Sequence, residues 1–522
     1  MSVFIGYPSF MAYQMMKGKK DNNEGFPTIP GTIARYSALG LTNEEMSKNP
    51  VWVDKTGNDH DLQMKNFAWK GMSGIGGVST YYDKYEFTPD KYYMVAVSSG
   101  TQHAQFTFKV TGLVDGNTLS LADTSSPSNV YGKWTQDGIY TVDIDVINTD
   151  RSLYFYNGVS ATRGEFTIEI LPLYPGALVF DGVDDYGTCD NFPILTKEKG
   201  YTVVALRQYL VEKSTAYLTN GDSISNTSFI FEGNNYKDTW NFGKPTTIQV
   251  SRILATQTSK QYDGVKLNIG TNAEGSNLLQ VGKWSKSYSN VAIWELVFLD
   301  HDATEEELTK IKDYFVKTYP WLFFDQAWTV TGKTNEDEDR ATIANITGNG
   351  NNLILSNFGF IEGSGYNEEG EYAGYLVTDG VDDKVQSSSF TMNEDWTIVG
   401  DWELLSNVQI NCGIVKAQNV YLYNTANGLL ISINNPRSLQ SFGTKSLHAI
   451  CSDGRLYDRN WVEYEYTADQ NFAIVESGLN IGFNLNNYTQ IAFKNLGIYN
   501  NRILSKDDCI KAYNHLQTLK AK

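Results

Sequence analysis

The chain has 522 residues, enough at roughly 150 residues per domain for three or four domains with sizeable cores. Apolar residues make up 41% and charged residues 20%, the balance of a folded chain, and the formal charge of -18 (42 basic against 60 acidic residues) repels phosphate backbones and anionic headgroups. No nucleic acid partner and no membrane insertion are therefore expected, and no apolar run approaches the ~18 residues a spanning helix needs.

In chain order, the start Met1-Ser2-Val3-Phe4-Ile5 has no basic stretch ahead of an apolar segment, so synthesis in the cytoplasm without a signal peptide is expected. Residues 1–35 carry Lys17, Lys19 and Lys20, show no period, and read as an extended arm. Near Tyr36 a block opens with Thr42-Asn43-Glu44, Thr56-Gly57-Asn58, Asp61-Leu62 and Asn66-Phe67. Alternating apolar positions follow at Phe106/Phe108/Val110, Tyr140/Val142/Ile144/Val146 and Phe166/Ile168/Ile170, with turn signals at Asp115-Gly116-Asn117, Asp137-Gly138 and Asn157-Gly158 between them. One apolar face per strand and tight turns predict a small antiparallel sandwich over 78–175. Then come Phe180-Asp181-Gly182-Val183-Asp184-Asp185-Tyr186, an aromatic-led strand at Tyr201 and an apolar strand at 291–296. A hydroxyl cap at Thr304 with acids behind it predicts a helix whose Leu308, Ile311 and Phe315 share a face, stopped by Pro320.

The same order then recurs. A block near Trp328 carries Thr334-Asn335-Glu336, Thr347-Gly348-Asn349, Asn352-Leu353 and Asn357-Phe358, offset by 291 or 292 (349 minus 58 is 291). The second Asp-rich turn, Thr378-Asp379-Gly380-Val381-Asp382-Asp383-Lys384, is offset by only 198 (379 minus 181), so the first copy holds 93 extra residues (291 minus 198). This duplication with an insertion is the strongest organisational signal in the chain. The second copy closes with a strand at 491–496 and a helix capped by Ser505, with Cys509, Tyr513 and Leu516 on one face. Trp321-Leu322-Phe323-Phe324 runs directly into the second copy, so the two copies are expected to pack together. With 33 Tyr, 25 Phe, 11 Trp and 45 Gly against 12 Pro, the fold class reads as all-β. Cys189, Cys412, Cys451 and Cys509 form no C-x-x-C pair and read as reduced, packed thiols.

The repeated unit resembles the LamG-like branch of the concanavalin A-like lectin/glucanase superfamily. The resemblance rests on Thr-Gly-Asn followed by Asp/Asn-Leu, the turn at 180–186, the strands Tyr201-Thr202-Val203-Val204 and Trp396-Thr397-Ile398-Val399, and the ending Leu496-Gly497-Ile498-Tyr499-Asn500-Asn501-Arg502. It implies two jelly-roll (concanavalin A-like) β-sandwiches, each with a short closing helix, plus a smaller β-sandwich inserted in the first. The layout expected is an arm at 1–35, a discontinuous first sandwich at 36–77 and 176–324, the insert at 78–175, and a second sandwich at 325–522. The family commonly binds glycans or proteins. The wording from Gly332-Lys333-Thr334-Asn335-Glu336 to 347–353 is also similar to virion proteins of tailed phages, crAss-like ones included.

Glycosidases on this fold hold two carboxylates on one strand as Glu-x-Asp-x-x-Glu, and no such string occurs. The acid pairs Asp143/Asp145, Asp401/Glu403 and Glu463/Glu465 alternate with apolar residues and read as wet strand faces, so no catalytic residue is expected. Asp181, Asp184, Asp185, Asp379, Asp382 and Asp383 are candidates for Ca2+, with capping of a tight Asp-Gly turn as the alternative; no other cofactor is expected. Trp134, Tyr154 and Tyr156, preceded by Tyr81, Tyr82 and Tyr85, are candidates for stacking on sugars, with core packing as the alternative. His60, His103, His301, His448 and His515 have no zinc-site spacing, and no phosphate-binding glycine loop follows any strand.

These readings lead to the expectation of a non-enzymatic phage virion structural protein, a fibre, spike or decoration subunit located in the virion. Its partners would be other virion proteins and a host cell-surface glycan or protein, and it would be a homo-oligomer, a trimer among the options. Two alternatives stay open: a glycan-active hydrolase or lyase of the same superfamily, and a bacterial surface adhesin.

Overall fold

Burial alternates along strands such as Leu62–Lys65 and Leu178–Asp181, sending one side of each sheet to a core and the other outward. The structure is a computed structural model. It describes residues 25–69, 84–195 (except 91, 98, 101–102, 115, 124–128, 148 and 159–162), 200–210, 217–221, 230–231, 247–253, 276–405, 412–465 (except 418–419, 426–427, 434–439 and 443–445) and 476–521 (except 485–486). The candidates Tyr81 and Tyr82 lie outside the described residues.

The fold is all-β. One sheet of the first sandwich runs Thr32–Ser37, Asn290–Leu299, Tyr201–Tyr209, Thr247–Ile253, with Leu178–Asp181 also paired to Asn290–Leu299. The sheet facing it includes Val51–Trp52, Leu62–Lys65, Tyr186–Cys189 and Leu279–Val281, and Tyr36, Trp52, Phe180 and Phe298 fill the space between. In the second sandwich Trp396–Leu404 lies between Ile491–Asn500 and Leu447–Cys451, over a core of Trp328, Trp396, Trp402 and Phe493. Among the described residues the strands from Lys84–Phe87 to Phe166–Leu171 pair only with one another, in two four-stranded sheets around Phe106, Phe108 and Phe155. Their first and last strands are hydrogen-bonded, Tyr85 opposite Ile168, so this smaller sandwich begins and ends at one place.

The duplication extends to single hydrogen bonds. Asp54 Oδ1 accepts from the amides of Arg35 (3.0 Å) and Thr56 (3.0 Å), and Asn345 Oδ1 accepts from those of Ala327 (3.3 Å) and Thr347 (3.0 Å). Asn66 donates to the Asp184 carbonyl at 2.9 Å, as Asn357 does to that of Asp382 at 3.0 Å, both from a left-handed backbone (φ 69°). Asn tolerates that region better than other side chains, which is why it stands at both turns.

Of the arm expected over 1–35, residues 1–24 lie outside the described residues, and the rest is not an arm. Thr32–Ser37 is a strand of the first sandwich, and Phe26 and Ile29 pack into the core beside it. This segment pairs with a strand more than 250 residues away, a contact that local periodicity does not reveal.

Three α-helices are described: α1 (Asn43–Lys48), α2 (Glu305–Thr318) and α3 (Lys506–Gln517). Thr304 and Glu307 form a reciprocal cap on α2, and Ser505 accepts from the Asp508 amide at the start of α3. Both helices lie in one junction core, where Ile311 and Phe315 of α2 join Cys509 and Leu516 of α3, with Trp294 from the first sandwich and Trp461 from the second. From α3, Asn514 Oδ1 accepts from Thr107 Oγ1 of the insert (3.0 Å), and Thr518 Oγ1 accepts from Gln208 of the first sandwich (3.2 Å). Buried apolar side chains contribute about 1.5–3 kcal/mol each and one such hydrogen bond about 1 kcal/mol. Packing therefore holds the lobes together, and the hydrogen bonds set how they seat.

Candidate functional site

The strand carboxylates come first, because an enzyme on this fold would use them. In both copies the central strand pair carries a bulge at the same place. Leu206 faces Glu295 and Arg207 faces Ile293; Asp401 faces Asn495 and Trp402 faces Phe493. An extra residue on one strand re-aims the side chains beyond it. Trp402 enters the core, and Asp401, 9% exposed, sits beneath α3. Its Oδ2 accepts from Tyr375 Oη (3.0 Å), Tyr513 Oη (3.1 Å) and Gln517 Nε2 (3.1 Å). The expected wet face is thus wrong for Asp401: alternation holds along Trp396–Leu404, with Trp396, Ile398, Trp402 and Leu404 in the sandwich core, but the opposite face, which carries Asp401, is covered by α3 and Tyr375. Glu403 is partly exposed, 3.5 Å from Arg459, while Asp145, Glu463 and Glu465 are exposed; the side chain of Asp143 is outside the described set.

The first copy solves the same problem from the opposite strand. Glu295, fully buried, pairs with Arg35 (3.2 Å) and accepts from Tyr319 Oη (2.8 Å) just past α2. Burial pushes its carboxyl above the usual range, against the pull of Arg35 and of Tyr319. So the pairs Leu206:Glu295 and Asp401:Asn495 occupy one cross-strand position, and each supplies one acid that anchors its own closing helix.

The six aspartates of the turns form two matching trios, each bringing one oxygen per residue within 4.8 Å. Asp181 Oδ1 accepts from the amides of Val183 (2.7 Å) and Asp184 (3.3 Å), and Asp185 Oδ2 from that of Asp181 (3.0 Å). Asp379 and Asp383 repeat this set at 2.7, 3.3 and 2.7 Å, and Ser364 Oγ adds a bond to Asp383. Gly182 and Gly380, at φ 78° and 74°, supply the left-handed residue of each turn. Burial pushes the Asp185 carboxyl up to about 7 and that of Asp383 up to about 6; the amide bonds oppose the shift and the neighbouring aspartates add to it. Two oxygens of each trio are already shared with backbone amides, which fits a turn cap better than the six to eight ligands Ca2+ takes.

The aromatic candidates divide. Trp134 packs inward against Phe108 (4.9 Å between ring centroids) and Phe155 (6.0 Å), within the core of the insert. Tyr154 and Tyr156 point the other way, onto the outer face of the sheet Tyr93–Val97, Leu153–Asn157, Leu119–Ala122, Val130–Trp134. Register places Tyr93, Tyr156, Ser120 and Lys133 in one row of that face, and Val95, Tyr154 and Ala122 in the next. Ring centroids lie 6.0 Å apart for Tyr93 and Tyr154 and 5.8 Å apart for Tyr154 and Tyr156. Burial, with Tyr154 beside it, pushes the Tyr156 phenol up to about 12, so it stays a neutral donor at any ordinary pH. Tyr92 adjoins Tyr93 at 5.2 Å and carries the Arg163 guanidinium 3.6 Å above its ring. Tyr93, Lys133 and Arg163 went unnoticed in the sequence, although the alternation of Tyr93, Val95 and Val97 with Met94 and Ala96 marks a strand. Tyr85, the remaining candidate, is tied to this edge by a bond from its hydroxyl to the Tyr93 carbonyl (3.0 Å).

No family model matches the chain, and no curated protein matches it. Solved structures similar to it include a Trypanosoma rangeli sialidase in complex with sialic acid, at 8% identity and a TM-score of 0.28, covering 82% of this chain and 82% of that one. Another is the binding domain of botulinum neurotoxin DC in complex with SialylT, at 6% identity and a TM-score of 0.18, covering 90% of this chain and 95% of that one. Likeness at this level carries no argument about function. Among the described residues no helix is long and apolar enough to cross a membrane.

Proposed function

We propose that the chain is a non-enzymatic structural protein of a phage virion, a fibre, spike or decoration subunit acting as a homo-oligomer. Its concanavalin A-like sandwiches meet a host-surface glycan or protein, or neighbouring virion proteins. The observation that carries the non-enzymatic part is the use made of the strand acids. Hydrolysis of a glycosidic bond needs an acid and a second carboxylate about 5 to 9.5 Å apart in an open cleft. Asp401 and Glu295 are instead buried and occupied in holding α3 and α2. The docking of three sandwiches around α3 supports a particle subunit, because a rigid body repeated on a particle gains avidity from many weak contacts. The resemblance at 332–353 supports the virion assignment.

The test incubates the purified chain with host capsular polysaccharide and follows reducing ends and unsaturated products alongside binding. Binding without product is expected. Product that accumulates in proportion to the protein overturns the non-enzymatic reading, and failure of antibodies against the chain to label intact particles overturns the virion assignment.

A further inference from the structure

We propose that the outer tyrosine face of the inserted sandwich binds an acidic polysaccharide, with sugar rings stacked on Tyr93, Tyr154 and Tyr156 and sugar carboxylates paired with Arg163 and Lys133. This rests on the surface-binding reading above and names the site and the ligand class.

An outer face is polar, and here the edge strand Tyr93–Val97 and its neighbour Leu153–Asn157 present tyrosines at adjoining positions instead, Tyr93 47% exposed and Tyr154 and Tyr156 half-buried. Among the described residues none of these three phenol hydroxyls meets a hydrogen-bond partner, so each is available to a ligand hydroxyl. A tyrosine ring offers a flat apolar surface with a polar rim, which suits the apolar side of a pyranose ring.

Charge then selects among glycans. The molecule carries a net charge of -18, yet the row that crosses this face ends on one side in the exposed Lys133 beyond Ser120, and on the other side Tyr92, which adjoins Tyr93, carries Arg163. No acid shares the rows of Tyr93, Tyr154 and Tyr156; Asp123, which follows Ala122 and lies close enough to Tyr156 to help raise its phenol, is fully buried and held by Asn129 at 2.8 Å. The Arg163 guanidinium sits 3.6 Å over the Tyr92 ring with its Nη1 toward the Pro89 carbonyl at 3.5 Å, which holds the cation at the edge of the face beside Tyr93. A neutral glycan would use the rings alone. A polyanion uses the rings and both cations, and the acidic remainder of the surface keeps it on this face.

The test uses the full chain with two acidic probes, oligogalacturonate and hyaluronan oligosaccharides, and one uncharged probe, maltoheptaose, in calorimetry across a sodium chloride series. The acidic probes are expected to bind, more weakly as salt rises, and maltoheptaose to bind far less. Tyr154→Ala with Tyr156→Ala is expected to weaken binding about tenfold or more, Tyr154→Phe to retain most of it, and Lys133→Gln and Arg163→Gln about two- to fivefold each with a flatter salt dependence. Each variant's melting temperature is followed, so that lost binding by an intact fold is what counts. Failure of both acidic probes to bind, or equal binding of maltoheptaose, overturns the proposal. So does self-association of the chain that the Tyr154→Ala variant abolishes, which assigns the face to a protein contact. Cleavage of a probe would instead count against the non-enzymatic reading, leaving the site itself in place.

Discussion

Asp401 gathers three donors on one oxygen, from half-buried Tyr375 and from buried Tyr513 and Gln517, and its removal takes that acceptor from all three. An unsatisfied buried donor costs about 1–3 kcal/mol, so Asp401→Ala is expected to lower unfolding stability by about 3 kcal/mol or more, and Asp401→Asn, which keeps an acceptor, by clearly less. Urea denaturation at fixed pH measures both. The turn aspartates make a pH-dependent contribution. With the folded value of Asp185 raised from 3.8 to about 7 and that of Asp383 to about 6, the folded state holds their protons more tightly. Their contribution is complete below about pH 4 and is lost as pH rises through about 6 to 7. Asp185→Asn mimics the protonated carboxyl, and thermal melts across that window are expected to show the variant gaining on the wild type as pH rises. His448 works in the opposite direction. It is buried, stacked on Tyr513 at 4.1 Å, and burial pushes its imidazole down from 6.5 to about 4. Its neutral form is favoured in the fold, so its contribution is complete above about pH 6.5 and is lost as pH falls toward 4. His448→Phe keeps a ring in the stack and is expected to flatten the acid side of the stability profile; an unchanged slope would dissociate His448 from acid sensitivity.

At the scale of elements, α3 contacts all three lobes. Its Asn514 bonds Thr107 in the strand His103–Thr111, and its Oδ1 is the acceptor lost in Asn514→Ala. That change is expected to cost about 1 kcal/mol and to raise amide exchange in the strand His103–Thr111 before the rest of the insert, since only the docking is loosened. Mass-resolved hydrogen exchange reads this directly; uniform exchange across the insert would mean that α3 does not seat it. The Leu206:Glu295 and Asp401:Asn495 pairs show how a duplicated element keeps a role while moving its residue. What each copy retained is a carboxylate at one cross-strand position above the bulge, whichever strand bears it.

For the whole molecule, the junction core makes the lobes interdependent. Cys509, Tyr513 and Leu516 are each 2% exposed or less, and all three leave the junction with α3. At about 1.5–3 kcal/mol for a large buried side chain, their loss removes several kcal/mol of what couples the sandwiches. Calorimetry of the full chain is expected to show one main transition, and the chain ending before Lys506 at least two. A single transition in both would place the coupling elsewhere. A coupled body also bears on binding, because a tyrosine face fixed relative to the other lobes loses less freedom when it engages a surface.

The all-β class, the duplication, the inserted hairpins and both helix caps were legible in the sequence because each depends on short-range signals: alternation, turn residues, a hydroxyl with an acid three residues on. The packing of the copies was legible too, from an apolar stretch with no linker around it. Tertiary structure alone decided which acids are buried, since α3, more than 100 residues further along the chain, closes over the strand face that carries Asp401. It also decided which aromatics face outward. Tyr131 and Trp134 stand in opposite phases of one strand, and only the register shift between Leu121 and Ala122 lets both pack against the core while Lys133 and Tyr156 share the outer face. Period-2 patterning states that a strand has two faces. Which one meets the core is a property of the partner strands and of the lobe packed behind them, and those lie far away along the chain.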